Sequence, residues 1–377
     1  MSDDRPQPDQ TEGAPHPRDT ARLLGQAAAE QAFLAAVTSG RLHHGWMIAG
    51  PRGTGKATLA WRIARHLIAH PPGAADDGLF GAPPPPRSLD IPEDHPVARR
   101  IAARSEPGLF KLTRPWDDRA KRLKAEITVD EVRKLKSRFA LSAADGGWRV
   151  VIVDAADEMN TSAANALLKL LEEPPARATL LLVTHQPSAL LPTIRSRCRM
   201  LHLRPLSPPD MAAALDQAGV AVPPEEAEAL AALSAGSVGD AIRLSLNEGP
   251  KLYTAILTLL GSLPQLDRAR ALALAEAANA RGAEDRVNTI FSLLDLALIR
   301  LARAGASGQM PQPAAARNEA EIFARLAPDL RRARAWAEIG QQISERSRHG
   351  RAVNLDPAAL ILDTMIKLQK TASDLAA

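Results

Sequence analysis

Apolar residues are sparse over the first twenty positions, where Pro6, Pro8, Pro15 and Pro17 stand among acids and glutamines. The pattern predicts a disordered tail over 1–20. From Leu23 the apolar density rises, and 26–37 reads as a helix. Trp46-Met47-Ile48-Ala49 is a short continuous apolar run ending at Gly50, followed by a glycine-rich turn and a predicted helix over 58–69. Strand, loop and helix in that order open an α/β unit. Two further runs, Val150-Val151-Ile152-Val153 and Leu180-Leu181-Leu182-Val183, are apolar at every position, the signature of parallel strands covered on both faces. A helix over 163–171 lies between them, stopped by Pro174-Pro175, and a last strand over 199–203 leads to Pro205. The prolines of 71–96 exclude regular structure, so that stretch is expected as a surface insertion. From Ser207 onward the pattern is helical: a small bundle over 208–244, punctuated at Pro223-Pro224 and Gly236, then long helices interrupted by a loop over 305–313.

The predicted architecture is therefore a P-loop α/β domain over 21–205, a parallel sheet with flanking helices. A small helical lid over 206–248 and an all-α C-terminal collar over 249–377 follow. Composition agrees. The 377 residues are 45% hydrophobic, enough for the cores of two or three domains, and only 3% aromatic, so those cores rest on Ala, Leu, Ile and Val. Lys and Arg number 47 against 43 Asp and Glu, a net +4 that is compatible with a nucleic-acid neighbour without requiring one. The single cysteine, Cys198, excludes an internal disulfide and a multi-cysteine zinc site, and reads as a small buried filler. No run approaches the about 18 apolar residues of a membrane span, and the acidic, polar start is unlike a secretory signal. A soluble cytoplasmic protein is expected.

Gly50-Pro51-Arg52-Gly53-Thr54-Gly55-Lys56 fits G-x-x-x-x-G-K between a strand and a helix. Glycines let several N–H groups face one phosphate chain, and Lys56 and the helix N-terminus add positive charge. Gly50, Gly53, Thr54, Gly55 and Lys56 are thus candidate nucleotide ligands. The residue after the lysine ordinarily supplies a hydroxyl to Mg²⁺; here it is Ala57. Thr58, kept among the candidates, is one helical step (about 100°) away from that position. Asp154 ends an apolar strand, the pattern that sets a carboxylate beside nucleotide-bound Mg²⁺, but Ala155 stands where a water-activating Glu is usual. Asp157 and Glu158 are expected to cap and start the next helix. ATP is the candidate ligand, Mg²⁺ is doubtful, no zinc or other metal ligand set is expected, and hydrolysis by this chain alone is expected to be weak or absent.

Asn165-Ala166-Leu167-Leu168-Lys169-Leu170-Leu171-Glu172-Glu173-Pro174-Pro175, with Ser196-Arg197-Cys198 downstream, resembles the hallmark of bacterial DNA polymerase III clamp-loader subunits, in the AAA+ superfamily. His43-His44-Gly45, 127–133 and Asn354-Leu355-Asp356-Pro357 fit the same resemblance. Motor subunits of that family keep the hydroxyl, the Asp-Glu pair, zinc-binding cysteines and a sensing arginine. Here those features are replaced by Ala57, Ala155, the proline-rich stretch and Gly239, which resembles the delta-prime branch. The resemblance implies that Arg197 is an arginine finger acting in trans and that Thr184 senses a γ-phosphate. It further implies a cytoplasmic, nucleoid-associated hetero-oligomer with gamma/tau and delta subunits, the β sliding clamp and primed DNA. From spacing alone, Arg195, Arg197 and Arg199 equally fit an exposed alternating segment. An ATP-hydrolysing motor subunit and a AAA+ repair or resolution module stay as alternatives. The basic stretch from Arg99 to Lys124 fits either a DNA-facing surface or a solvated one.

Overall fold

The computed structural model describes residues 7–20, 22–71, 86–141, 147–278 and 284–376. They divide into two compact units, one reaching residue 219 and taking in 236–239, the other holding 220–235 and everything from 240.

In the first unit the apolar runs become a sheet. Its strands are β1 (Gly45–Ala49), β2 (Leu109–Leu112), β5 (Arg149–Asp154), β6 (Ala178–Thr184) and β7 (Arg199–His202). They lie in the order β2-β5-β6-β1-β7, every pair parallel. A separate small antiparallel pair is formed by β3 (Trp116–Asp117) and β4 (Arg122–Leu123). Alternation along the strands builds two apolar layers. Trp46, Ile48, Val150, Ile152, Leu181 and Val183 join the core of α1 (Ala27–Thr38), α2 (Lys56–Ala69) and α3 (Pro96–Ala102). Met47, Val151, Val153, Leu180 and Leu182 join that of α4 (Val129–Leu141), α5 (Thr161–Glu172) and α6 (Pro192–Arg195). With both faces covered, β1 and β6 are buried at every residue, which is why they read as unbroken apolar runs.

Two sequence expectations need correction in this unit, and a third reading left open gains an observation. Residues 7–20, expected as part of a disordered tail, pack against the sheet and α2, while 1–6 lie outside the described residues. Asp9 accepts a hydrogen bond from Lys111 of β2 at 2.9 Å and pairs with His16 at 3.3 Å; the His16 ring meets Trp61 of α2 edge-on at 5.5 Å. The segment is held by ion pairs and one aromatic contact, which leave no apolar periodicity to read. In the proline-rich stretch, 72–85 lie outside the described residues, but Leu89 is buried and Pro96 opens α3 at a helical position where its missing N–H costs nothing. The basic stretch contains β2, and three of its cations are engaged by acids of this chain: Arg100 by Glu106, Lys111 by Asp9 and Arg114 by Glu158. These pairings weigh against a DNA-facing surface at those three positions.

The expected lid is divided: α7 (Pro208–Gln217) groups with the first unit and α8 (Pro224–Ser234) with the second. After α9 (Val238–Leu246), the second unit continues with α10 (Gly249–Gly261), α11 (Arg268–Ala277), α12 (Glu284–Ser307), α13 (Glu319–Leu326), α14 (Leu330–Ala352) and α15 (Pro357–Ala376). The loop expected from 305 starts later, because α12 runs through Gly305. A Cβ there would lie 2.5 Å from Ala327 O, so the glycine serves close packing rather than a helix stop. Glu319, 1% exposed, accepts from Tyr253 Oη at 2.6 Å, Arg300 Nε at 2.7 Å and Ala315 N at 2.7 Å, fixing the approach to α13. No helix among the described residues is long and apolar enough to cross a membrane.

Candidate functional site

From Ala49 the chain turns through Gly50, Gly53 and Gly55, all at positive φ, into α2. Gly53 sits in a tight place as well as a left-handed one. Its carbonyl accepts from Val238 N at 2.9 Å and Gly239 N at 3.3 Å, and a Cβ on it would lie 2.7 Å from Gly239 N. The start of α9 therefore rests directly on the loop. Lys56 is 3% exposed, and its Nζ donates to Gly50 O at 2.8 Å and Pro51 O at 2.5 Å. Burial brings its pKa down to about 8, opposed by Asp154 and Asp157 and assisted by Arg52. Thr54 Oγ1 donates to Pro51 O at 2.9 Å, and its carbonyl accepts from Gln26 Nε2 at 3.3 Å. Thr58 is buried on α2.

Parallel pairing brings the other candidates to the same end of the sheet: Ala49 is level with Thr184, and Asp154 with Val183. Asp154, 8% exposed, has its pKa pushed up to about 7, by burial first, then by Asp9 and Glu158, against the pull of Lys56 and Lys111. Thr184 is fully buried, and its Oγ1 accepts from Gln186 N at 3.2 Å, closing the turn after β6. Asp157 and Glu158 do not cap the next helix. Asn160 does, accepting from Ala163 N at 2.9 Å, while Asp157 accepts from His185 N at 3.0 Å and Glu158 pairs with Arg114.

These residues fit a phosphate group. The glycine turn, the first N–H groups of α2 and the Lys56 ammonium lie together at the end of β1, the donor types a phosphate takes, with Lys56 Nζ held by the loop carbonyls of Gly50 and Pro51. They do not fit a Mg²⁺ ligand set. Ala57 brings no hydroxyl where a P-loop ordinarily supplies one to the ion.

A second constellation forms at the opposite end of β1. His44 Nε2 lies 2.9 Å from Leu171 O, so the protonated nitrogen caps the last turn of α5. Gly45 permits an approach no other residue would: a Cβ there would meet Arg197 O at 2.8 Å, Leu171 Cδ2 at 3.0 Å and Cys198 Sγ at 3.2 Å. Cys198 is a packed filler whose thiol pKa burial pushes up to about 12. Above this base Arg197 Nη1 donates to Thr193 O at 3.1 Å, and Nη2 pairs with Glu172 at 3.1 Å. Arg195 and Arg199 are exposed on either side. The parts that sequence reasoning quoted as isolated motifs, His43-His44-Gly45, the Glu172 run and Ser196-Arg197-Cys198, are one platform. The signal missed was the contact of residues 127 positions apart.

The family described as DNA polymerase III, delta subunit matches residues 25–207, the span that holds both constellations. A DNA polymerase III subunit delta' of Pseudomonas aeruginosa is 40% identical over 204 residues, 53% of this chain and 55% of that protein. Over this span the chain is similar to that family and to delta' subunits of DNA polymerase III. The delta' subunit of Escherichia coli is 28% identical over 339 residues, 89% of this chain and 92% of the relative. A gamma/tau subunit of Mycobacterium tuberculosis is 31% identical over 292 residues, 72% of this chain and 46% of the relative. The chain thus spans about half the length of the Pseudomonas and mycobacterial relatives it matches. The expected parallel sheet with flanking helices, followed by an all-helical portion, is the architecture observed.

Proposed function

We propose that this chain works as a delta-prime-type clamp-loader subunit. In this reading it braces an ATPase ring beside gamma/tau and delta subunits and presents Arg197 to nucleotide held by the neighbouring subunit. It helps place the β sliding clamp on primed DNA while hydrolysing little or no ATP itself. The observation that carries the reading is where Arg197 stands. It precedes β7, whose Arg199 is level with Trp46 at the start of β1, whereas the P-loop follows the end of β1. Five residues of strand at about 3.3 Å each set the two roughly 16 Å apart, beyond an arginine's reach to its own loop. A half-exposed guanidinium on a braced backbone, remote from its own phosphate site, is suited to another subunit's nucleotide. There a planar cation offsets the charge developing on the transferred phosphoryl group, an effect of about 10³–10⁵ in rate in other systems. Gly50, Gly53, Thr54, Gly55, Lys56 and Thr58 would hold the phosphates of an ATP bound by this chain. The lack of a hydroxyl at Ala57 and of a carboxylate at Ala155 accounts for weak turnover there.

The test compares ATP hydrolysis by the assembly of this chain with gamma/tau and delta subunits, with and without Arg197→Ala, after equal assembly has been checked. A fall of about tenfold or more in DNA- and clamp-stimulated turnover is expected. Unchanged turnover from an intact assembly would make Arg197 structural and end the trans reading.

A further inference from the structure

Glu172 is the last residue of α5, where the negative end of the helix dipole disfavours a carboxylate. Glu173 and two prolines follow, and among the described side chains Glu172 finds its compensation in Arg197, at 3.1 Å. The pair is 42% and 38% exposed, so it faces solvent and is open to an approaching partner. Both ends are fixed from below. The base of Glu172 is set by His44 capping Leu171 O, and that of Arg197 by its N–H donating to Ile194 O at 3.1 Å and by the close approach over Gly45. Thr193 O holds Nη1 of Arg197 and Glu172 holds Nη2, so a phosphate that takes the Nη2 edge of the fork must displace the carboxylate.

We propose that Glu172 is a positioning residue for Arg197. It holds the guanidinium in the outward orientation of the lone chain, and it competes with the terminal phosphate of the neighbouring subunit's nucleotide for the same fork. The inference rests on the reading of Arg197 as a finger acting in trans. Engagement is then an exchange of anions, carboxylate for phosphate, with no change in the arginine's charge. The carboxylate lowers the apparent affinity for nucleotide at that interface and prevents the finger from pairing with stray anions before assembly.

An exposed pair of this kind couples weakly, so removing it has a small and signed effect. In the assembly, Glu172→Gln is expected to lower the apparent KM for ATP about 2–5-fold at low ionic strength, with kcat nearly unchanged. At about 0.5 M salt, where the ion pair is screened, the difference should vanish. Glu172→Ala, which removes the carboxylate by a different route, should give the same KM shift and guards against an artefact of the amide. If Arg197→Ala leaves turnover intact, the finger reading fails and this inference with it. If Arg197→Ala abolishes stimulated turnover while both Glu172 variants match the parent KM, the finger stands and the competition is refuted. A loss of kcat in the Glu172 variants comparable to that of Arg197→Ala also refutes it, because the carboxylate would then be supporting the finger during the reaction.

Discussion

At the scale of single residues, Asp154 shows how a motif can keep its geometry and change its chemistry. An aspartate in the unfolded chain titrates near 3.8, and in the folded protein this one titrates near 7. Between those values the native state holds the extra proton, so stability falls as pH rises through about 4 to 7, and the penalty is complete above 7. A displacement of this size corresponds to at most about 4 kcal/mol. Asp154→Asn removes the buried charge while keeping a buried polar group. We expect it to stabilise the chain by about 1–3 kcal/mol at pH 8 and by much less at pH 5. Thermal melts at the two pH values decide this, and equal gains would show that Asp154 titrates near its unfolded value and is charged at both. Lys56 runs the opposite way. Its depressed pKa leaves a penalty below about 8 that is relieved as pH rises toward 10.5.

At the scale of elements, the start of α9 decides what the P-loop is able to do. Gly239 occupies the position where the resemblance puts a sensing arginine in motor subunits. Its N–H donates to Gly53 O, and a Cβ on it would lie 3.1 Å from Gly53 Cα. Restoring the arginine therefore forces backbone apart instead of completing a site. Gly239→Arg is expected to cost about 1–3 kcal/mol and to create no measurable ATPase; denaturant melts and a phosphate-release assay test both halves, and turnover gained at unchanged stability would contradict it. The same scale explains what was legible in the sequence. The strands β1, β5 and β6 were, since burial on both faces leaves no polar position. The loop was, since glycine and lysine at that spacing have few other uses, whereas Arg197 was singled out only by the family resemblance, its spacing fitting an exposed alternating segment equally well. The strand β2 was not: four residues at the sheet edge, one of them Lys111, give no period to count. Nor was the ordered segment 7–20, whose anchor Asp9 lies buried between a lysine 102 positions away and His16. The partnership of Glu172 with Arg197 was hidden for a related reason, since a weak ion pair between two motifs leaves its mark in neither.

At the scale of the whole molecule, two compact units imply two cooperative transitions, and the chain carries the probes to separate them. Four of its five tryptophans, Trp46, Trp61, Trp116 and Trp148, lie in the first unit, and Trp336 alone lies in the second. Trp336 is fully buried, its Nε1 donating to Leu326 O at 2.9 Å, and so reports on the packing of α13 and α14. The polar anchor of that unit is Glu319, which satisfies Tyr253, Arg300 and the Ala315 N–H together. Glu319→Ala leaves the half-buried Arg300 without its partner and removes the acceptor of two further donors, at a cost of about 3–5 kcal/mol. Tyr253→Phe deletes one neutral donor and should cost nearer 1 kcal/mol. With fluorinated tryptophan the five indoles give separate resonances. Glu319→Ala should bring the loss of the native Trp336 signal to lower temperature, and Asp154→Asn at pH 8 should shift only the other four upward. If all five resonances move together in both variants, the units unfold as one body. A substitution near the P-loop would then be felt throughout the helical half, and the finger platform would inherit the stability of the whole chain rather than of its own sheet.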